Sequence, residues 1–270
     1  MIIFSFLSFL GCPKNNLSSP PLPEEIFALH EKNTVLNPVI LQNQYSLVEM
    51  SIPKMQFKAQ LEAWFIKDEG SYIITEIPNI GKQESGYHKA QDIVWSINPL
   101  EGDDILSGFA KKNQIMLFEN VFLPLKEQYR EPEYIGMETV NDISVHKVKA
   151  KDRMDNLVYL YFDDETFYLR QTESTLIING GEILSNAYFT DFITIEGNIF
   201  AQKTTLNVMN IDQEISLITL KNNLQETPKI AIPSQIQELL EERIAPPVEP
   251  KPEETKPEET PPEQNPSSPE

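Results

Sequence analysis

The stretch Gln56–Phe65, QFKAQLEAWF, limits the fold more than any other feature of the chain. Phe57, Ala59, Leu61, Ala63 and Phe65 alternate with Gln56, Lys58, Gln60, Glu62 and Trp64. A period of two is the mark of a half-buried strand with one wet face. The same texture returns at Ser71–Ile77, Asp92–Asn98, Asp142–Ala150 and Asn156–Phe162, then at Thr166–Ile178, Glu182–Ile195, Lys203–Met209 and Glu214–Asn222. Between the later segments, Asn179–Gly181 and Glu196–Asn198 carry hairpin chemistry, and Asn210–Gln213 a weaker version of it. A chain of hairpins without crossover helices pairs antiparallel. The expectation is nine or ten strands in one large curved antiparallel sheet.

A sheet cannot bury its apolar face alone, so helices must cover it. Pro23 and two glutamates begin a helix in PEEIFALHEKN. A second helical insertion is expected within Asp103–Tyr129, which lacks alternation, and a third at Pro233–Arg243. The fold class is therefore mainly β with α, an α+β chain. Of two acidic pairs, Asp103–Asp104 is expected to start a helix and Asp163–Asp164 to mark a turn.

Both ends differ from this middle. Residues 1–11, MIIFSFLSFLG, are apolar but far too short for a spanning helix, and fit the core of a secretory signal. The chain's only cysteine, Cys12, follows at once, so no disulfide can form within the chain. FLGC resembles a lipobox, although no Lys or Arg precedes the apolar run. The expected arrangement is a lipoprotein signal peptide over 1–11 and lipid attachment at Cys12. A tether follows over 12–22, a folded domain over 23–243 and a disordered Pro/Glu-rich tail over 244–270. That tail repeats KPEET and holds almost nothing apolar. Stretched as polyproline II at about 3.1 Å per residue, it would reach on the order of 80 Å.

A formal net charge of −19 argues against nucleic acid as a partner, since phosphate neutralisation needs clustered Lys and Arg. His30, His88 and His146 show no ligand spacing, so neither a metal nor another cofactor is expected. The chain has no G-x-S-x-G, P-loop or G-x-G-x-x-G. No catalytic residue is assigned, and the protein is not expected to be an enzyme. Trp64 and Trp95 either pack a core or line a ligand cavity.

The order of features resembles the LolA-like outer-membrane lipoprotein-sorting superfamily, with its LolA/LolB/LppX-type fold. Gly86, Tyr87, Trp95, Pro99, Gly102, Leu106 and Gly108 match its "GY…W…P…G…L.G" pattern. YLYFDDETFYLRQ and YFTDFITIEGNIFAQKTTLNV are similar to its later hairpins, with Ala201 where proline is usual. KIAIP near the end has Ile230 where phenylalanine is common. The resemblance spans about Glu24–Leu240. It implies an unclosed β-barrel with helices across its mouth, an apolar cavity for acyl chains, and no covalent chemistry.

Phe57, Leu61, Phe65, Ile93, Trp95 and Ile97 from the early strands are expected on the concave face. Leu206, Val208, Ile215 and Leu217 are expected there from the late ones. They either pack a dry core or line the cavity, and the resemblance favours the cavity. The expected partners are acyl lipid or lipoprotein acyl chains, the membrane through lipidated Cys12, and an envelope protein. The expected location is the bacterial envelope, at the outer membrane facing the periplasm. A structural or stress-sensing module that uses the acidic tail as its contact is the alternative.

Overall fold

The computed structural model describes residues 20–35, 41–178 and 181–244. Residues 1–19, 36–40, 179–180 and 245–270, which hold the expected signal peptide, Cys12, most of the expected tether and the expected tail, lie outside the described residues. Thirteen strands form one antiparallel sheet that does not close into a barrel. The first run is β1 (Asn43–Ile52), β2 (Phe57–Ile66), β3 (Gly70–Ile77), β4 (Gly81–His88), β5 (Ile93–Asn98) and β6 (Gly102–Ile105). The second is β7 (Arg130–Val140), β8 (Ile143–Lys151), β9 (Leu157–Asp163), β10 (Leu169–Ile178), β11 (Gly181–Ile195), β12 (Asn198–Val208) and β13 (Ile211–Asn222).

Each run is a meander, and they meet where β13 pairs with β1, giving the order β6-β5-β4-β3-β2-β1-β13-β12-β11-β10-β9-β8-β7. The two free edges, β6 and β7, are consecutive in the chain. The helical insertion joins them: α2 (Gly108–Asn120) and α3 (Leu125–Gln128). Nine of the strands were anticipated. The sequence reading passed over β1, β4, β6 and β7. Asp103 and Asp104 lie in β6 rather than at a helix start, where Asp104 accepts from the Arg243 guanidinium at 2.9 Å.

α1 (Pro23–Thr34) opens with Pro23 at its first turn, and the Glu25 carboxylate accepts the Leu22 N–H at 3.0 Å. It buries Ile26 and Phe27 against Val148, Val158, Leu160 and Phe162 of β8 and β9. Its last turn reaches β12, where Val35 bridges Asn198. The β9–β10 turn pins it. The Asp163 carboxylate accepts the N–H groups of Glu165 and Thr166 and the Arg170 guanidinium. His30 Nδ1 donates to the Phe167 carbonyl at 2.9 Å, and Asn33 to the Thr166 carbonyl at 2.9 Å. His146 stacks on the Phe167 ring, with Nε2 3.1 Å from Asp164 and Nδ1 3.2 Å from the Tyr134 hydroxyl.

α4 (Ser234–Ile244) covers the opposite face of the sheet from α1 and α2. Ile232 and Ile236 close over Trp95, with Leu239 and Leu240 beside them. The sheet therefore carries apolar cover on both faces, where the sequence reading put all of it on one.

Candidate functional site

Register assigns every strand residue to a face. Phe65 lies opposite Ser71, Ser71 opposite Tyr87, and Tyr87 opposite Val94. This row packs against Phe118 and Ile115 of α2. It marks the concave face on one flank, and the core under α1 marks it on the other. Between them lie β1, β13, β12 and β11. Following the pairing from Phe65 through Gln44 and Asn222 puts Val48, Met50, Leu217, Ile215, Leu206 and Val208 on the same concave face. These six are only half-buried. No residue of these four strands joins a buried core cluster among the described residues.

A cavity of about 1150 Å³ occupies this space at the α1 end. Ligand pockets commonly enclose about 300–1,000 Å³. Its floor includes Phe189, Phe200, Leu217 and Leu220, and its roof is the last turn of α1 with the Val121–Pro124 link between α2 and α3. Gln44, Lys67, Glu196 and Asn222 supply polar groups. His30 is the titratable group of the α1 roof. Burial holds its imidazole below the ordinary value, against the opposing pull of the Phe167 carbonyl and Glu31. The neutral ring donates through Nδ1, and the wall it forms is uncharged at neutral pH.

The ten anticipated residues divide. Phe57, Leu61, Phe65, Leu206, Val208, Ile215 and Leu217 share the concave face. Of these only Leu217 lines the cavity itself. Phe65 packs against the α2 cluster. The other five extend the apolar trough towards the rim formed by the β1–β2 and β12–β13 turns. Ile93, Trp95 and Ile97 do not join them. Trp95 lies opposite Gly86, and Ile105 lies opposite Trp95, on the convex face beneath α4. The Trp95 ring passes over Gly86, where a Cβ would come within 2.6 Å of its Cζ2. Trp95 is fully buried, and its Nε1 has no hydrogen-bond partner. The "GY…W" spacing thus serves close packing across two strands.

Phe189, Phe192, Phe200 and the Val121–Pro124 link were not singled out from sequence. Phe189 and Phe192 are three apart, so strict alternation would put them on opposite faces. β11 keeps its register with β12 through Asp191, φ 51°, so the Phe189 side chain faces the trough while the Phe192 ring lies with Tyr168 and Arg170, and both residues border the cavity. Asp next to an aromatic pair was the available signal. No cluster of His, Cys, Asp or Glu suited to a metal occurs among the described residues. No described helix is long and apolar enough to cross a membrane.

No protein-family model matches the sequence, and no curated protein matches it. Solved structures do match in fold. A DUF1329 family protein from Desulfovibrio piger aligns with a TM-score of 0.55 and 14% identity, over 76% of this chain and 95% of its own. A LolA superfamily protein from Nitrosomonas europaea gives 0.52 and 12%, over 77% and 96%. A putative outer membrane lipoprotein-sorting protein domain from Vibrio parahaemolyticus gives 0.51 and 12%, over 76% and 95%. The chain shares its fold with these structures, the LolA superfamily protein among them.

Proposed function

We propose that this protein is a non-enzymatic lipid- or lipoprotein-binding protein of the bacterial cell envelope that holds acyl chains in the trough between sheet and helices. One observation carries the reading: the middle four strands present apolar side chains to a space that no core fills. Each CH₂ moved from water into such a space contributes roughly 0.8 kcal/mol, so a long chain needs no polar contact to bind. The wall supplies few charges, which suits an alkyl guest over an ionic one. The Vibrio parahaemolyticus relative in fold, described as lipoprotein-sorting, agrees with this role. Lipidation at Cys12 would hold the trough near a membrane, since several acyl chains anchor far better than one.

The test is extraction and mass spectrometry of the full chain carrying Cys12→Ser, purified from its native host without detergent. Acyl lipid should copurify and should be lost in Leu217→Trp, which fills the trough. A lipid-free chain that also fails to take up a fluorescent fatty acid would sink the proposal.

A further inference from the structure

The two rims of the half-barrel differ. At the α1 rim, the described hairpin loops are 67–69, 89–92, 141–142, 164–168 and 196–197. Each carries at least one charged residue, and none contains an exposed large apolar side chain. At the opposite rim, four neighbouring loops each expose one. Leu100 is 72% exposed in the β5–β6 loop and Ile80 41% in β3–β4. Met55 is 61% exposed in β1–β2, and Met209 68% in β12–β13.

These loops follow one another across eight adjacent strands. At about 4.8 Å between strands they occupy roughly 30 Å of rim. Neighbours touch: Lys54 Nζ donates to the Asn210 carbonyl at 3.0 Å, and Pro99 lies 3.9 Å from where a Gly81 Cβ would stand.

From these four apolar tips on one rim, we infer that this edge of the half-barrel inserts into the surface of a zwitterionic lipid bilayer. Three features favour that occupant. The four loops hold only Lys54 and Glu101, one charge of each sign, in a chain of net charge −19. They are the part of the molecule an electrically neutral surface accepts and an anionic one repels least. The tips stand singly, each about two strands from the next, so no flat patch forms for a rigid partner to match. A fluid acyl phase takes up separated wedges without shape complementarity. Pro53, Pro78 and Pro99 sit in three of the loops. Proline brings no N–H donor to be stripped of water and holds its loop in a restricted conformation. The half-buried Phe57, Leu61, Val208 and Ile215 lead from this rim into the trough. The rim would be where a lipid enters, a consequence that rests on the acyl-chain reading, whereas membrane contact itself does not.

The full chain carrying Cys12→Ser is mixed with vesicles of phosphatidylcholine and phosphatidylethanolamine and floated on a density gradient. It should float. Replacing Met55, Ile80, Leu100 and Met209 together by Glu should cut partition by roughly a hundredfold or more, and Leu100→Glu alone by about tenfold. Ala90→Glu, in an exposed loop of the other rim, should change nothing. Because Cys12 is the only cysteine, Cys12→Ser/Leu100→Cys accepts one environment-sensitive dye, whose emission should shift to the blue on adding vesicles. The same dye at Ala90→Cys, in an exposed loop of the α1 rim, should not shift. This labelled pair decides the matter even if the four-site variant fails to fold. A chain that ignores vesicles, as it would if the rim docked a protein, overturns the proposal, and so does a folded four-site variant that floats undiminished. Uptake of a fluorescent fatty acid by the four-site variant in free solution reads the acyl-chain proposal separately.

Discussion

On the flanks of the sheet, the concave residues Val148, Leu160, Phe162 and Val94 are fully sealed by α1 or α2. In the middle, Val48, Leu206, Ile215 and Leu217 face the same way with the same chemistry and remain half-exposed. The difference is one of cover. Three short helices reach across a sheet of thirteen strands and close only its sides. The flanks hold the molecule together, and the middle is left as unfilled volume. Packed core and unfilled volume therefore lie in different strands.

Mutations should separate the two. The largest effect is expected from Leu160→Ala, which opens a void beneath α1 and should cost about 2–5 kcal/mol in urea unfolding. Next is Gly86→Ala: its Cβ would collide with the Trp95 ring, so the indole or α4 must move, at a cost of about 1–3 kcal/mol. Leu217→Ala should stay below about 1 kcal/mol, because a half-exposed side chain has less burial to lose, while fatty-acid binding weakens. If Leu217→Ala destabilises as much as Leu160→Ala, the middle is a packed core and the contrast fails.

The smallest effect concerns pH. Burial holds the His30 and His146 imidazoles below 6.5, opposed by the Phe167 carbonyl and Glu31 in one case and by Asp164 in the other. The unfolded chain takes up these protons first, so stability present above pH 6.5 is lost as the pH falls below it. The flank under α1 should melt at a lower temperature in mild acid. A His30→Gln/His146→Gln variant should flatten that slope in thermal scans, and an unchanged slope would remove these histidines as its cause.

Much of this was legible in the sequence. Alternation found nine strands, and the break in alternation at Asp103–Tyr129 found the insertion that bridges the two edges. The missed strands had no period to read. β1 slips register between Leu47 and Val48 and turns Gln44 and Ser46 inward. β7 carries Pro132, Gly136 and two irregularities. β4 reads GKQESGYH, and β6 has four residues.

The candidate site was harder. Alternation tells which residues of one strand share a face, but not which face of the next strand they join. β2 is aromatic on both sides, with Phe65 inward and Trp64 outward. Only the pairing of Phe65 through Ser71 and Tyr87 to Val94 shows that Trp95 belongs with Trp64. The cavity roof, from α1 and the Val121–Pro124 link, depends on how helices lie across the sheet, which no local pattern encodes.

The placement of Trp95 beneath α4 has an optical corollary. Trp64 and Trp95 are the chain's only tryptophans, and both sit on the convex face, linked through Tyr72. The sheet backbone screens their indoles from anything in the trough. Ultraviolet emission should then stay constant while the trough fills and respond when α4 lifts. A titration followed by that glow would record no binding, and the same lamp would report the departure of one helix from the outer wall.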